Sequence, residues 1–350
     1  MRGRRHWLRG LAALPLSAAL PARAQGPRDL TVVSWGGAYQ DAQRDIFFRP
    51  WMTAREARLL EETWYGGMDV LRERIRAGTN NWDLVQVEGH QLLIGCREEL
   101  FEPMDWDAIG GRDAYQPAAV QDCGVGAIIY SVVLAWDRAT LRGTPAGWAD
   151  FFDTERFPGR RALRRRPRTT LEIALLGDGV APAEIYALLA TRAGQDRAFR
   201  KLDSIRAQLA WWDRGSQPVQ WLASGEVVLT CAHNGRIAAA NATDGRDFGI
   251  AWAQNLAAMD SWVILRGSPN RQRALDFLRF AGQPSVQAAL PRRIPYGVTA
   301  KGAMAELPVP LLAQLPTAPA HAEKALRLDE AFWLRHLDPL NRRFEDWLRG

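Results

Sequence analysis

The sequence predicts an α/β protein of two lobes joined by a hinge, and three observations carry that expectation. Apolar, β-branched runs alternate with amphipathic helical windows through residues 29–89. The chain is long for one hydrophobic core and suits two domains. Strand-like runs at 126–137 and 247–267 lie where the backbone would pass from one lobe to the other.

In chain order, DLTVVSW (29–35) reads as a strand ending in the glycine turn Gly36-Gly37. AYQDAQRDIFFRPWMTA has helical spacing, with Ile46, Phe47 and Trp51 on one face. RLLEETWYG gives a second strand, DVLRERIRAG a helix and WDLVQVEG (82–89) a third strand. This β-α-β-α-β order predicts a mostly parallel sheet with covering helices. GAIIYSVVLAWD then leads out of the first lobe, and helical windows follow at GWADFFDTERFPG and AEIYALLATRAGQDRAFRKLDSIRAQL. ASGEVVLTCA (223–232) reads as a buried strand, Asn234-Gly235 as a turn and IAAA as the start of a helix. DFGIAWAQNLAAMDSWVILRG is strand-like, SPNRQRALDFLRFAGQPSVQAAL a helix pair and RRIPYGVTA a loop. There are no internal repeats. Open α/β sheets bind ligands beyond the carboxyl ends of their strands, so the cleft between the lobes is the expected site.

Residues 1–24 have the layout of a signal peptide: a basic start, the short apolar run LAALPLSAALP and the cleavage pattern Ala22-Arg23-Ala24. Arg4-Arg5 before His-Trp-Leu also resembles a twin-arginine export signal, which leaves the export route open. A periplasmic protein is expected, and no cysteine follows the apolar run to carry a lipid anchor. Those 24 residues hold five arginines and no acid, leaving 40 basic against 39 acidic side chains, so net charge gives no reason to expect a nucleic-acid partner. The remaining basic cluster, RRALRRRPR (160–168), reads as a solvated loop face.

An oxidising compartment favours disulfides. Cys96 follows a helical run and Cys123 precedes a strand; bridging them closes a loop of about 27 residues, worth about 3–4 kcal/mol in the chain-entropy model. A Cys96–Cys123 disulfide and a free, reactive Cys231 are expected. Outside the signal-like segment the four histidines have no Cys or His at ligand spacing, and the lone Gly124-Val125-Gly126 stands before a strand, so neither metal nor cofactor is expected. GxSxG, Walker A and HExxH motifs are absent. Fifteen tryptophans keep an exported carbohydrate-active hydrolase as the alternative, although no carboxylate pair stands out.

SWGGAYQDA, NWDLVQVEG, GVGAIIYSVVLAWD, PAGWADFFDTERFPG, ASGEVVLTCAHNGR, MDSWVIL and IPYGVTA occur in order along the chain. Together they resemble the spermidine/putrescine-type solute-binding proteins of ABC transporters. The resemblance implies the bilobed type II periplasmic-binding-protein fold, a non-catalytic receptor, a monomer, and a permease partner in the inner membrane. Lobe 1 is then expected to comprise 25–135 and 247–305, and lobe 2 to comprise 136–246 and 306–350. Expected ligand residues are Trp35 and Tyr39 around the first glycine turn, Glu88 after the third strand, His233, Arg236, Asp260 and Tyr296. Glu88 suits an amine but equally reads as a solvated loop carboxylate. At most one of Trp211 and Trp212 lines the cleft, because neighbours on a strand point opposite ways. Glu172 reads as a helix residue on the lobe surface. Polyamine receptors of this type have acids at both ends of the cleft. Here Asp260 matches one acidic position and Arg236 stands at the other. An ammonium at one end and a carboxylate at the other is therefore implied, as in a γ-aminobutyrate-like ω-amino acid; a polyamine fits only if Arg236 turns away or pairs with an acid.

Overall fold

The computed structural model describes residues 28–78 and 80–350; the signal-like segment lies outside them. Ten strands form one sheet: β1 (Leu30–Ser34), β2 (Leu59–Thr63), β3 (Leu84–Glu88), β4 (Val120–Gln121), β5 (Gly124–Asp137), β6 (Arg161–Arg164), β7 (Leu209–Trp212), β8 (Leu229–His233), β9 (Phe248–Ile264) and β10 (Leu326–Arg327). Their main order is β2-β1-β3-β9-β5-β8-β6-β7, with β10 on β9 and β4 on β5. Three parallel strands, β1 to β3, make one half, and β6 to β8 make the other. Between them run the two long strands β5 and β9, antiparallel to each other and to their neighbours β3 and β8.

The parallel sheet expected from the β-α-β alternation therefore exists within each half. The centre is antiparallel, because β5 leaves the first half and β9 returns to it through the same layer. β5 is buried along nearly its whole length, which is why GAIIYSVVLAW reads as a continuous apolar run rather than an alternating one. Aromatic side chains fill the core on both sides: Phe48 and Trp51 in the first half, Trp148, Phe151 and Phe157 in the second. The last helix, Glu330–Arg349, is tied to the second half by Trp333 to Glu172 and Arg343 to Gln195. It also lays Leu334 and Leu337 against the first half's core.

Several local expectations are corrected. The strand within ASGEVVLTCA begins only at Leu229, because Gln217–Ser224 is a helix ended by Gly225 at φ +72°. Asn234-Gly235 is not a turn but the first turn of the helix Asn234–Thr243. There the Asn234 side chain accepts from the Ser131 amide and donates to the Pro295 carbonyl. GWADFFDTERFPG is helical only over Trp148–Phe152. The Cys96–Cys123 disulfide is present, with Cα atoms 5.9 Å apart. Cys231 is free but fully buried in β8, and burial pushes its thiol up to about 12, so it is not the reactive cysteine expected.

Candidate functional site

The basic cluster 160–168 is the largest departure from expectation. Only part of it is a solvated face: Arg160 and Arg165 are exposed, but Arg161, Arg164 and Arg168 are buried. Arg161 is spent on carbonyls, donating to Phe151, Asp153, Phe157 and Gly159. Arg164 ends β6 and donates to Glu88 at 2.5 Å across the two halves. Arg168 reaches the other Glu88 oxygen at 3.3 Å and Glu330 at 2.7 Å. Thr169 beside it has φ +75°, a conformation costing a β-branched residue about 1–3 kcal/mol. That strained turn lets the chain leave β6, present Arg168 and then enter a helix.

The seven side chains expected at the ligand all line one cavity between the halves, with a volume of about 50 Å³. Trp35, Tyr39, Glu88, His233 and Arg236 come from strand ends or the segments just after them, Asp260 from inside β9 and Tyr296 from the loop after the turn Leu290–Arg292. Trp35 follows β1 and stacks on Trp64, ring centres 5.2 Å apart. The Tyr39 hydroxyl accepts from Gln86, and its ring meets Tyr296 edge-on at 5.3 Å. His233 ends β8 and lies against Trp212 and Tyr130. Burial, then the charges of Arg236 and Arg164, lower the His233 imidazole to about 3, so it is neutral near pH 7.

Arg236 sits on the first turn of the helix after β8 and donates from Nη2 to the Trp35 and Gly36 carbonyls, each at 3.0 Å. It makes no ion pair among the described residues, so its charge is not cancelled by an acid. Two glycines admit it. A Cβ on Gly37 (φ +58°) would lie 2.8 Å from its Nη1, and one on Gly215 3.0 Å from its Nε.

Asp260 lies in β9 directly opposite Glu88 in β3, which sets two carboxylates side by side. Their fates differ. Burial raises the Glu88 carboxyl, but Arg164 and Arg168 outweigh it and hold the group well below the carboxylate range. Glu88 is thus neither a solvated loop residue nor an unclaimed acid. Asp260 is buried with no hydrogen-bond partner on Oδ1; burial first, and Glu88 second, raise its pKa well above the usual value. The cavity accordingly offers one carboxylate without a partner and one arginine without an acid, among aromatic walls.

Tyr130, Trp64, Tyr65 and Arg164 also line the cavity without having been expected there. Ile128, two residues before Tyr130 on the same face of β5, lines it too. For Arg164 the signal was position, since it ends a strand just as His233 does before Arg236. Trp211 and Trp212 divide as alternation requires, Trp212 facing the cavity and Trp211 packing on Phe344 and Trp347. Glu172 is not on the surface; it is fully buried and accepts from Trp333 and Tyr186.

A family model described as bacterial extracellular solute-binding protein matches residues 58–320. Over 342 residues the chain is 40% identical to a gamma-aminobutyric acid-binding protein of Pseudomonas aeruginosa, covering 98% of this chain and 97% of that one. Among solved structures it is similar to the PBP MotA from A. tumefaciens B6 in complex with glucopine, at a TM-score of 0.85 and 26% identity over 91% of this chain and 99% of the other. It is also similar to the Atu4243-GABA receptor, at a TM-score of 0.79 and 30% identity over 91% and 97%.

Proposed function

Because this chain belongs to the bacterial extracellular solute-binding protein family, a family of non-enzymatic substrate-binding proteins of ABC transporters, we propose that its ligand is a short ω-amino acid of the γ-aminobutyrate type. Membership is in the family at large, without singling out its spermidine/putrescine branch, and it supports a receptor rather than the hydrolase alternative. One observation carries the ligand reading: a single small cavity holds an unpartnered carboxylate, Asp260, and an arginine without an ion pair, Arg236.

The ammonium is assigned to Asp260, with the aromatic faces nearby adding about 0.5–2 kcal/mol each. The carboxylate is assigned to the planar fork of Arg236, which suits it better than a lysine would. The methylene spacer lies against Trp35 and Tyr296. A second ammonium in place of the carboxylate would face Arg236, a repulsion of about 4 kcal/mol at roughly 4 Å for an effective dielectric near 20. Size agrees: at about 10–15 Å³ per water the cavity of about 50 Å³ holds roughly four waters, which suits a small ligand. The 40% identical relative, itself a gamma-aminobutyric acid-binding protein, supports the same reading.

The partner is an inner-membrane permease and the compartment is the periplasm, reached by the signal peptide over residues 1–24. The lobes are assigned as 25–135 with 247–305, and 136–246 with 306–350, hinged on β5 and β9. Calorimetry tests the ligand: the wild type is expected to prefer γ-aminobutyrate to putrescine, and Arg236→Asp to reverse that preference. Tight putrescine binding by the wild type, unchanged in Arg236→Ala, would overturn the assignment.

A further inference from the structure

Beyond the small cavity lies a second one between the halves, of about 360 Å³. Tyr65, Glu88 and Arg164 line both. One ion pair and one phenol ring therefore separate a space the size of a few waters from a space seven times larger. The pair is firmly mounted. Glu88 ends β3 and caps the helix Gly89–Arg97, its own amide donating to Gln91. The carbonyl of Arg164 accepts from the Thr170 hydroxyl at 2.8 Å, and Arg168 bridges Glu88 to Glu330 from behind. Tyr65 carries the Arg214 guanidinium 4.9 Å above its ring, another contact between the halves.

We propose that Glu88, Arg164 and Tyr65 form a specificity-determining wall that sets the maximum length of the ligand. The proposal rests on the ω-amino acid reading and deepens it. A wall of aliphatic side chains could yield to one more methylene by changing rotamers. An ion pair braced on both sides cannot, because parting it leaves buried charges facing a methylene that solvates neither. The space behind is polar, lined by His90, Arg166, Asp69 and Asp338, and the wall is the lining it shares with the small cavity.

The test is calorimetry with γ-aminobutyrate, 5-aminopentanoate and 6-aminohexanoate on the wild type, on Tyr65→Ala and on the double variant Glu88→Ser/Arg164→Ser, which removes both charges together. Wild-type affinity is expected to fall at least tenfold per added methylene, the low end of what one methylene costs at a tight pocket. In both variants the fall should shrink to about threefold or less, whatever the absolute affinity for γ-aminobutyrate. Tyr65 is 42% exposed, so its truncation leaves the core intact even if the double variant fails to fold. Parallel length profiles in the wild type and Tyr65→Ala, including a uniform loss for all three ligands, would overturn the wall. A wild type that binds none of the three strikes the ω-amino acid reading and the wall with it. A wild type that binds γ-aminobutyrate while the profiles stay parallel strikes the wall alone.

Discussion

Asp260 is a buried carboxylate with an unpartnered oxygen, set opposite a second carboxylate. Burial, and then Glu88, raise its pKa well above the usual value. The folded chain thus takes up a proton on Asp260 at a pH where the unfolded chain has lost it, and this group's contribution to stability disappears as pH rises through the folded value. A bound ammonium reverses the balance, because it favours the ionised carboxylate. Binding should therefore expel a proton below the raised pKa, and affinity should rise with pH toward it. Calorimetry in buffers of different ionisation enthalpy reads this proton directly. Asp260→Asn should abolish ligand binding, and the free variant should gain stability relative to the wild type as pH rises from the usual carboxylate range toward the folded value, because the amide cannot ionise. Thermal melts without that relative gain, together with retained binding, would remove Asp260 from the site.

Among the elements, the helix Pro167–Gly177 shows how one side chain couples two of them. Glu172 faces inward and joins this helix to the last one through Trp333, and to the following helix through Tyr186. Burial raises its carboxyl to about 7. Since the folded pKa lies above the unfolded one, the stability it contributes is complete below about pH 4.3 and is lost as pH rises to about 7. Over that window the loss amounts to about 4 kcal/mol, at 1.36 kcal/mol per pH unit. Glu172→Gln keeps an acceptor for Trp333 and cannot ionise. The difference in unfolding free energy, wild type minus variant, should fall across this window and then level off. A constant difference from pH 4 to pH 8 in urea titrations would mean that Glu172 does not titrate there.

On the scale of the whole molecule, contacts between the two halves converge on the cavity: Arg236 to the Trp35 and Gly36 carbonyls, and Arg164 and Arg168 to Glu88. β5 and β9 are the long strands shared by both halves, so a rotation about them would open the cleft without breaking either parallel set. Small-angle scattering should show a smaller radius of gyration when γ-aminobutyrate is added to the free protein. Tryptophan emission should shift as well, because Trp35, Trp64 and Trp212 line the cavity. An unchanged scattering profile at saturating ligand would count against hinge closure.

The order of strands and helices, the Cys96–Cys123 bridge and the delivery of Trp35, His233, Arg236 and Asp260 to one place are legible in the sequence. The elements, Trp35 and Arg236 follow from local periodicity and from the rule that strand ends face the cleft, which act over a few residues, whereas His233 and Asp260 are implied by the family resemblance. Which charges are spent and which are available is not legible there. Arg164, Arg168 and Glu172 read as surface residues because charged side chains usually are. Their burial depends on partners 76, 80 and 161 positions away, Glu88 for the arginines and Trp333 for Glu172. Only the packed halves bring Glu88 against two guanidiniums while leaving Asp260, its neighbour across the strands, without one, because a buried charge takes whichever counter-charge the fold sets within reach.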